Sequence, residues 1–86
     1  MNCHGIQINS EISWVIDNKR TIIVSSKKNV IIFSMDESIM WNLIQYFSKM
    51  DDIIEIAKAV FNINNFQAHQ KIETTLNDWR KKGLIQ

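Results

Sequence analysis

The sequence predicts an α+β fold of the winged helix-turn-helix type, a three-stranded antiparallel sheet followed by three helices. Three observations predict it. Three β-branched runs, separated by about four polar residues each, fill residues 12–33. The hydrophobic period then changes between Phe33 and Glu37 from that of a strand to that of a helix. Amphipathic stretches with their own start and stop signals occupy the rest of the chain. Eighty-six residues with two glycines and no proline make one small domain, 1–86, with no linker inside it.

The elements follow in order. Residues 1–10 carry little pattern and are expected to form a loose lead-in. Ile12-Ser-Trp-Val-Ile16, Thr21-Ile-Ile-Val-Ser25 and Val30-Ile-Ile-Phe33 are the strands of a meander. Neither polar patch between them contains Asn-Gly or Asp-Gly, so turns looser than the two-residue kind are expected. Trp14, between Ser13 and Val15, is expected to be partly exposed. Ser34 and Glu37 have the spacing of a capping box, and Ile39, Met40, Leu43, Ile44 and Phe47 share one helical face behind it. Asp51 or Asp52 is the expected cap of a second helix with the stripe Ile53, Ile56, Ala57, Val60 and Phe61. Asn64 or Asn65 caps a third, whose stripe is Ala68, Ile72, Leu76 and Trp79. Lys81 and Lys82 suit its dipole and Gly83 its left-handed stop, after which Leu84 and Ile85 should fold back on the core.

Composition removes several classes of function. A net charge of +1 provides no attraction for nucleic acid or anionic membrane. No apolar run approaches the roughly 18 residues of a bilayer span, and the N-terminus has no signal-peptide pattern. The single cysteine, Cys3, cannot form an internal disulfide, which fits a cytoplasmic protein. Cys3, His4 and His69 have no metal-ligand spacing, no serine lies in a Gly-x-Ser-x-Gly context, and there is no glycine-rich phosphate loop. The acidic pairs Asp36-Glu37 and Asp51-Asp52 read as helix N-terminal charges. An independent enzyme is not expected, and no cofactor is implied. DNA binding is the competing reading for such a fold. The third helix, however, mixes Glu73 and Asp78 with Gln67, Gln70, Lys71, Asn77, Arg80 and Lys81, without a basic surplus.

A three-stranded meander leaves an edge. The run Val30–Phe33 is short and uncharged, and an open edge of this kind accepts an extended peptide as a further strand.

The stretches 30–44 (Val-Ile-Ile-Phe-Ser-Met-Asp-Glu-Ser-Ile-Met-Trp-Asn-Leu-Ile), 51–61 (Asp-Asp-Ile-Ile-Glu-Ile-Ala-Lys-Ala-Val-Phe) and 72–85 (Ile-Glu-Thr-Thr-Leu-Asn-Asp-Trp-Arg-Lys-Lys-Gly-Leu-Ile) resemble the strand-to-helix passage, second helix and closing helix of PqqD-like precursor-peptide recognition elements. The resemblance covers about residues 12–85. Ser34 stands where that family commonly has Asn, and Glu37 where it often has Gly. The resemblance implies a non-catalytic domain that binds the leader segment of a ribosomally made precursor as an added strand. It then delivers that precursor to a separate maturation enzyme. A stand-alone chain of this size resembles the recognition protein of lasso-peptide clusters, which delivers the precursor to a separate leader peptidase; a similar free-standing chain serves radical-SAM peptide modification. Carried over, the docking edge is Val30, Ile31, Ile32 and Phe33, and the groove wall is His69, Ile72, Glu73, Leu76 and Arg80. Arg80 or Lys71 would meet acidic leader residues, and Ile72 and Leu76 apolar ones. A charge at Ile31 or Ile72 should abolish binding without unfolding the domain.

Overall fold

The structure is a computed structural model and describes residues 5–25 and 29–86. Strands β1 (Ile12–Asp17), β2 (Arg20–Ser25) and β3 (Val30–Ile32) form one antiparallel sheet in the order β1-β2-β3. Helices α1 (Met35–Tyr46), α2 (Met50–Phe61) and α3 (Asn65–Lys81) follow. This is the winged helix-turn-helix arrangement with the sheet placed first.

The first turn departs from expectation. Asp17 pairs directly with Arg20, so Asn18 and Lys19 form a two-residue loop, and both have positive φ (51° and 64°). That is the turn whose twist matches the flanking strands. Asn tolerates the left-handed region; Lys19 accepts it without the help that a glycine would give.

The helix signals divide. Ser34 accepts from the Glu37 amide while the Glu37 carboxylate accepts from the Ser34 amide, closing the capping box of α1. Asn64 and Gln67 repeat the device on α3. Neither Asp51 nor Asp52 caps α2. The helix begins at Met50 behind Lys49, which makes no side-chain cap, and the two aspartates act in the first turn on its dipole. Two helices end on left-handed residues, Asn62 (φ 53°) after α2 and Gly83 (φ 75°) after α3. In each case the following amide reaches back five residues, Ile63 to Lys58 and Leu84 to Trp79.

The core lies between the inner face of the sheet and the helices. Ile23, Trp41 and Trp79 are fully buried at its centre, with Phe33 beside them. The Phe33 ring stacks on Trp79 at 5.1 Å and meets Trp41 edge-on, while Trp41 touches Trp79 and Trp14 edge-on at 5.2 and 5.3 Å. In α2 the buried residues are Ile53, Ile54 and Ala57; Val60 is half exposed, so the burying face is turned toward Ile54 from the predicted stripe.

Residues 5–10 are not a loose lead-in. Ile6 is buried in the core, and Ile8 forms an antiparallel bridge to Ile85. Asn9 donates to the Leu84 carbonyl, and Gln86 donates to that of Gln7. Leu84 and Ile85 are buried as expected, and this apolar tail is what gives the N-terminal segment a partner. Cys3, His4 and the Lys27-Lys28 pair lie outside the described residues.

Candidate peptide-docking edge

The ladder fixes which groups of β3 point outward. The Phe33 amide donates to the Thr21 carbonyl, and Ile31 lies opposite Ile23, so residues 31 and 33 turn their main-chain groups toward β2. In an antiparallel ladder the alternate residues turn away. Val30 and Ile32 therefore direct their N–H and C=O groups at the open edge. Among the described residues no strand pairs with that edge, because residues 5–10 pair with the C-terminal tail instead.

The pairing of β2 with β3 runs out at Phe33, and α1 takes over. Thr21 is buried, and its amide has no strand partner beyond Phe33; it donates to the Ser38 hydroxyl at 2.8 Å. A serine on the first turns of α1 thus completes the ladder of β2 and holds the strand-to-helix junction.

α3 lies against that junction. Lys71 pairs with Asp36 at 2.9 Å and stands over the Phe61 ring at 4.7 Å, and Trp79 carries the Phe33 ring. Residues 71, 75 and 79 are spaced four apart, so Lys71, half-buried Thr75 and Trp79 lie on one stripe of the helix, and its two ends, Lys71 and Trp79, meet Asp36 and Phe33.

The residues expected at the site are placed as follows. Val30 and Ile32 are 60% and 62% exposed, and Ile31 is half-buried on the inner face. Phe33, by contrast, is 1% exposed, so its side chain is core and only its position ends the edge. Ile72 and Leu76 are also core, at 3% and 5% exposed, and present no surface to a peptide. A charge at Ile72 would break the fold, which corrects the expectation of harmless substitution there. His69, Glu73 and Arg80 are exposed but lie together roughly 160° around the helix from Lys71 and Thr75. His69 and Glu73 line an open depression of about 340 Å³ with Gln70, Thr74 and Asn77, and Arg80 donates to the Asn77 side-chain oxygen Oδ1 at 3.2 Å. A second depression of about 570 Å³ lies along Ile63, Gln67, Lys71 and Thr75. The structure therefore brings Lys71 and Trp79 to the β3 junction, with Thr75 between them on the same stripe. Thr75 was legible only as the residue four before Trp79.

Among the described residues no three His, Cys, Asp or Glu side chains are grouped as metal ligands, and no helix is long and apolar enough to cross a membrane. Lys71 of α3 is already engaged with Asp36, and Lys82, just after the helix, with Asp78, which weakens this element as a reader of phosphates.

The sheet has a second edge on β1, where alternation turns Trp14 and Ile16 outward. There Trp14 meets Trp41 of α1 edge-on, whereas beyond β3 it is Phe33 that stacks on Trp79 of α3.

No family model matches this sequence, and no curated protein matches it significantly. The solved structure of TbiB1 in complex with the TbiA(beta) leader peptide is similar to this chain with a TM-score of 0.84, over 93% of this chain and 94% of that one. Sequence identity is 11%, so the likeness is one of fold.

Proposed function

We propose that this domain binds the leader segment of a ribosomally made precursor peptide as a fourth strand on β3 and passes the precursor to a separate maturation enzyme. The observation that carries the reading is the unpaired edge at Val30 and Ile32, held beside α3 in a fold shared with a leader-bound protein. The edge supplies main-chain hydrogen bonds and therefore register. Side-chain selectivity comes from Ile31 and from the α3 flank of Lys71 and Thr75. His69, Glu73 and Arg80 are assigned to leader residues that run past the strand, with Arg80 as the cation for an acidic one. The domain does no chemistry itself. Its partner is a leader peptidase of the lasso-peptide type, or alternatively a radical-SAM enzyme, acting in the cytoplasm on the presented core segment.

The test is fluorescence anisotropy with a labelled leader from a short precursor reading frame sought beside the gene, with the TbiA(beta) leader as a defined second probe. Saturable binding of the neighbouring leader at micromolar or lower concentration is expected. Ile32→Pro deletes an outward N–H without touching the β2 ladder, and should weaken that binding at least tenfold while leaving the fold intact. Unchanged anisotropy at tens of micromolar protein refutes the reading. A salt-dependent response to random duplex DNA would replace it with nucleic-acid binding.

A further inference from the structure

We infer that leader recognition is two-sided: the outer face of the sheet, through Val30 and Ile32, selects a leader with apolar side chains at two positions two apart, pointing away from α3. This rests on strand addition at β3 and specifies what the added strand must be.

The same alternation that frees the edge decides the faces. Ile31 and Phe33 turn their side chains to the core, so Val30 and Ile32 turn theirs to the opposite face of the sheet. There they continue across the strands. Val15 lies opposite Ile22, and Ile22 opposite Ile32, giving an apolar row in which Val15 is 59% exposed and Ile22 half-buried. Such a row at a sheet edge is ordinarily broken by a charge. None interrupts it here, and it stops at the edge where a fourth strand would add the next member.

The length of β3 gives the row a purpose. Three residues present only two outward main-chain positions, Val30 and Ile32, hence at most four hydrogen bonds to a docked strand. Main-chain pairing over so short a stretch carries no sequence information, and selectivity must come from side chains. A strand lying antiparallel to β3 sets one residue opposite Ile32 and the residue two further on opposite Val30. Both lie on the outer face with Cβ atoms about 5 Å from their partners. The residue between them faces Ile31 and α3. The ligand is therefore an extended peptide with three consecutive apolar, preferably β-branched or aromatic, residues. An alternating strand would satisfy the inner groove alone.

The experiment uses the full chain and a labelled leader, that of a precursor reading frame found beside the gene or else the TbiA(beta) leader. Val30→Thr and Ile32→Thr keep the strand propensity and remove apolar surface at exposed positions, and their unchanged thermal unfolding is the check on folding. Each is expected to weaken binding about two- to fivefold, and the pair about tenfold. A serine scan of the leader should then find two positions, two residues apart, whose effect in wild type largely disappears in the double variant. If the double variant binds like wild type while Ile32→Pro does not bind, strand addition stands and the two-sided reading is overturned. If the leader fails to bind even the wild-type domain, both readings fall.

Discussion

Ser38→Ala should be the most costly small substitution at the strand-to-helix junction. The Ser38 hydroxyl accepts from the Thr21 amide at 2.8 Å, with both residues almost wholly buried. Removing the oxygen leaves a buried backbone N–H with no partner, at a cost of about 1–3 kcal/mol. Alanine favours the helix over serine by roughly 0.5 kcal/mol, which offsets part of this. The net loss is about 0.5–2.5 kcal/mol, and for a domain of this size each kcal/mol moves the melting temperature by about 4–8 °C. A fall of about 2–20 °C is therefore expected by circular dichroism. The Thr21 amide should also lose its protection in hydrogen exchange. Thr74→Ala, exposed on α3, serves as the control and should shift stability by about 0.5 kcal/mol at most. A Ser38→Ala protein that melts at the wild-type temperature with Thr21 still protected would refute the claim that the hydroxyl completes the ladder.

Three further outcomes are expected. Lys19→Gly relieves a left-handed side chain in the first hairpin and should raise stability by about 0.5–1 kcal/mol in urea unfolding, whereas a drop would mean that the turn is not of the positive-φ type. Ile6→Ala should cost about 2–4 kcal/mol by the same measurement, because the segment before β1 contributes a core side chain; a wild-type midpoint would show that it does not. Ile31→Pro, unlike Ile32→Pro, removes an amide that faces β2 and should lower stability by about 2 kcal/mol or more, so melting curves of the two variants that coincide would invalidate the assignment of the outward edge.

The fold was legible in the sequence where local signals agreed. The change of period after Phe33, the Ser34–Glu37 box, the Asn64 cap and the Gly83 stop each have one physical reading, and the structure contains all of them. Features that depend on a distant partner were not legible. Ile6 and Ile8 form no period of their own, and their burial follows from the tail at Leu84 and Ile85, more than seventy residues away. The tight first turn was missed because Asn18 and Lys19 take a conformation usually signalled by glycine. At the candidate site the sequence marked β3 as an edge. Helical spacing alone could not say which flank of α3 the junction would meet; the Lys71–Asp36 pair and the Phe33–Trp79 stack decide that. Ile72 and Leu76 were already members of the predicted core stripe, and the structure keeps them there.

The aromatic cluster has an optical consequence. Trp41 and Trp79 are buried edge to face at 5.2 Å, and neither indole N–H has a partner, so both chromophores sit in an environment without hydrogen bonding to their ring nitrogens. Their emission should lie toward the blue, and two indoles so close should couple into a signed pair of bands in circular dichroism. Phe33, the residue just after β3, touches both rings. The domain thus carries an intrinsic chromophore pair wired to the end of its open strand, and a ligand that presses on that strand should alter its spectrum without any label.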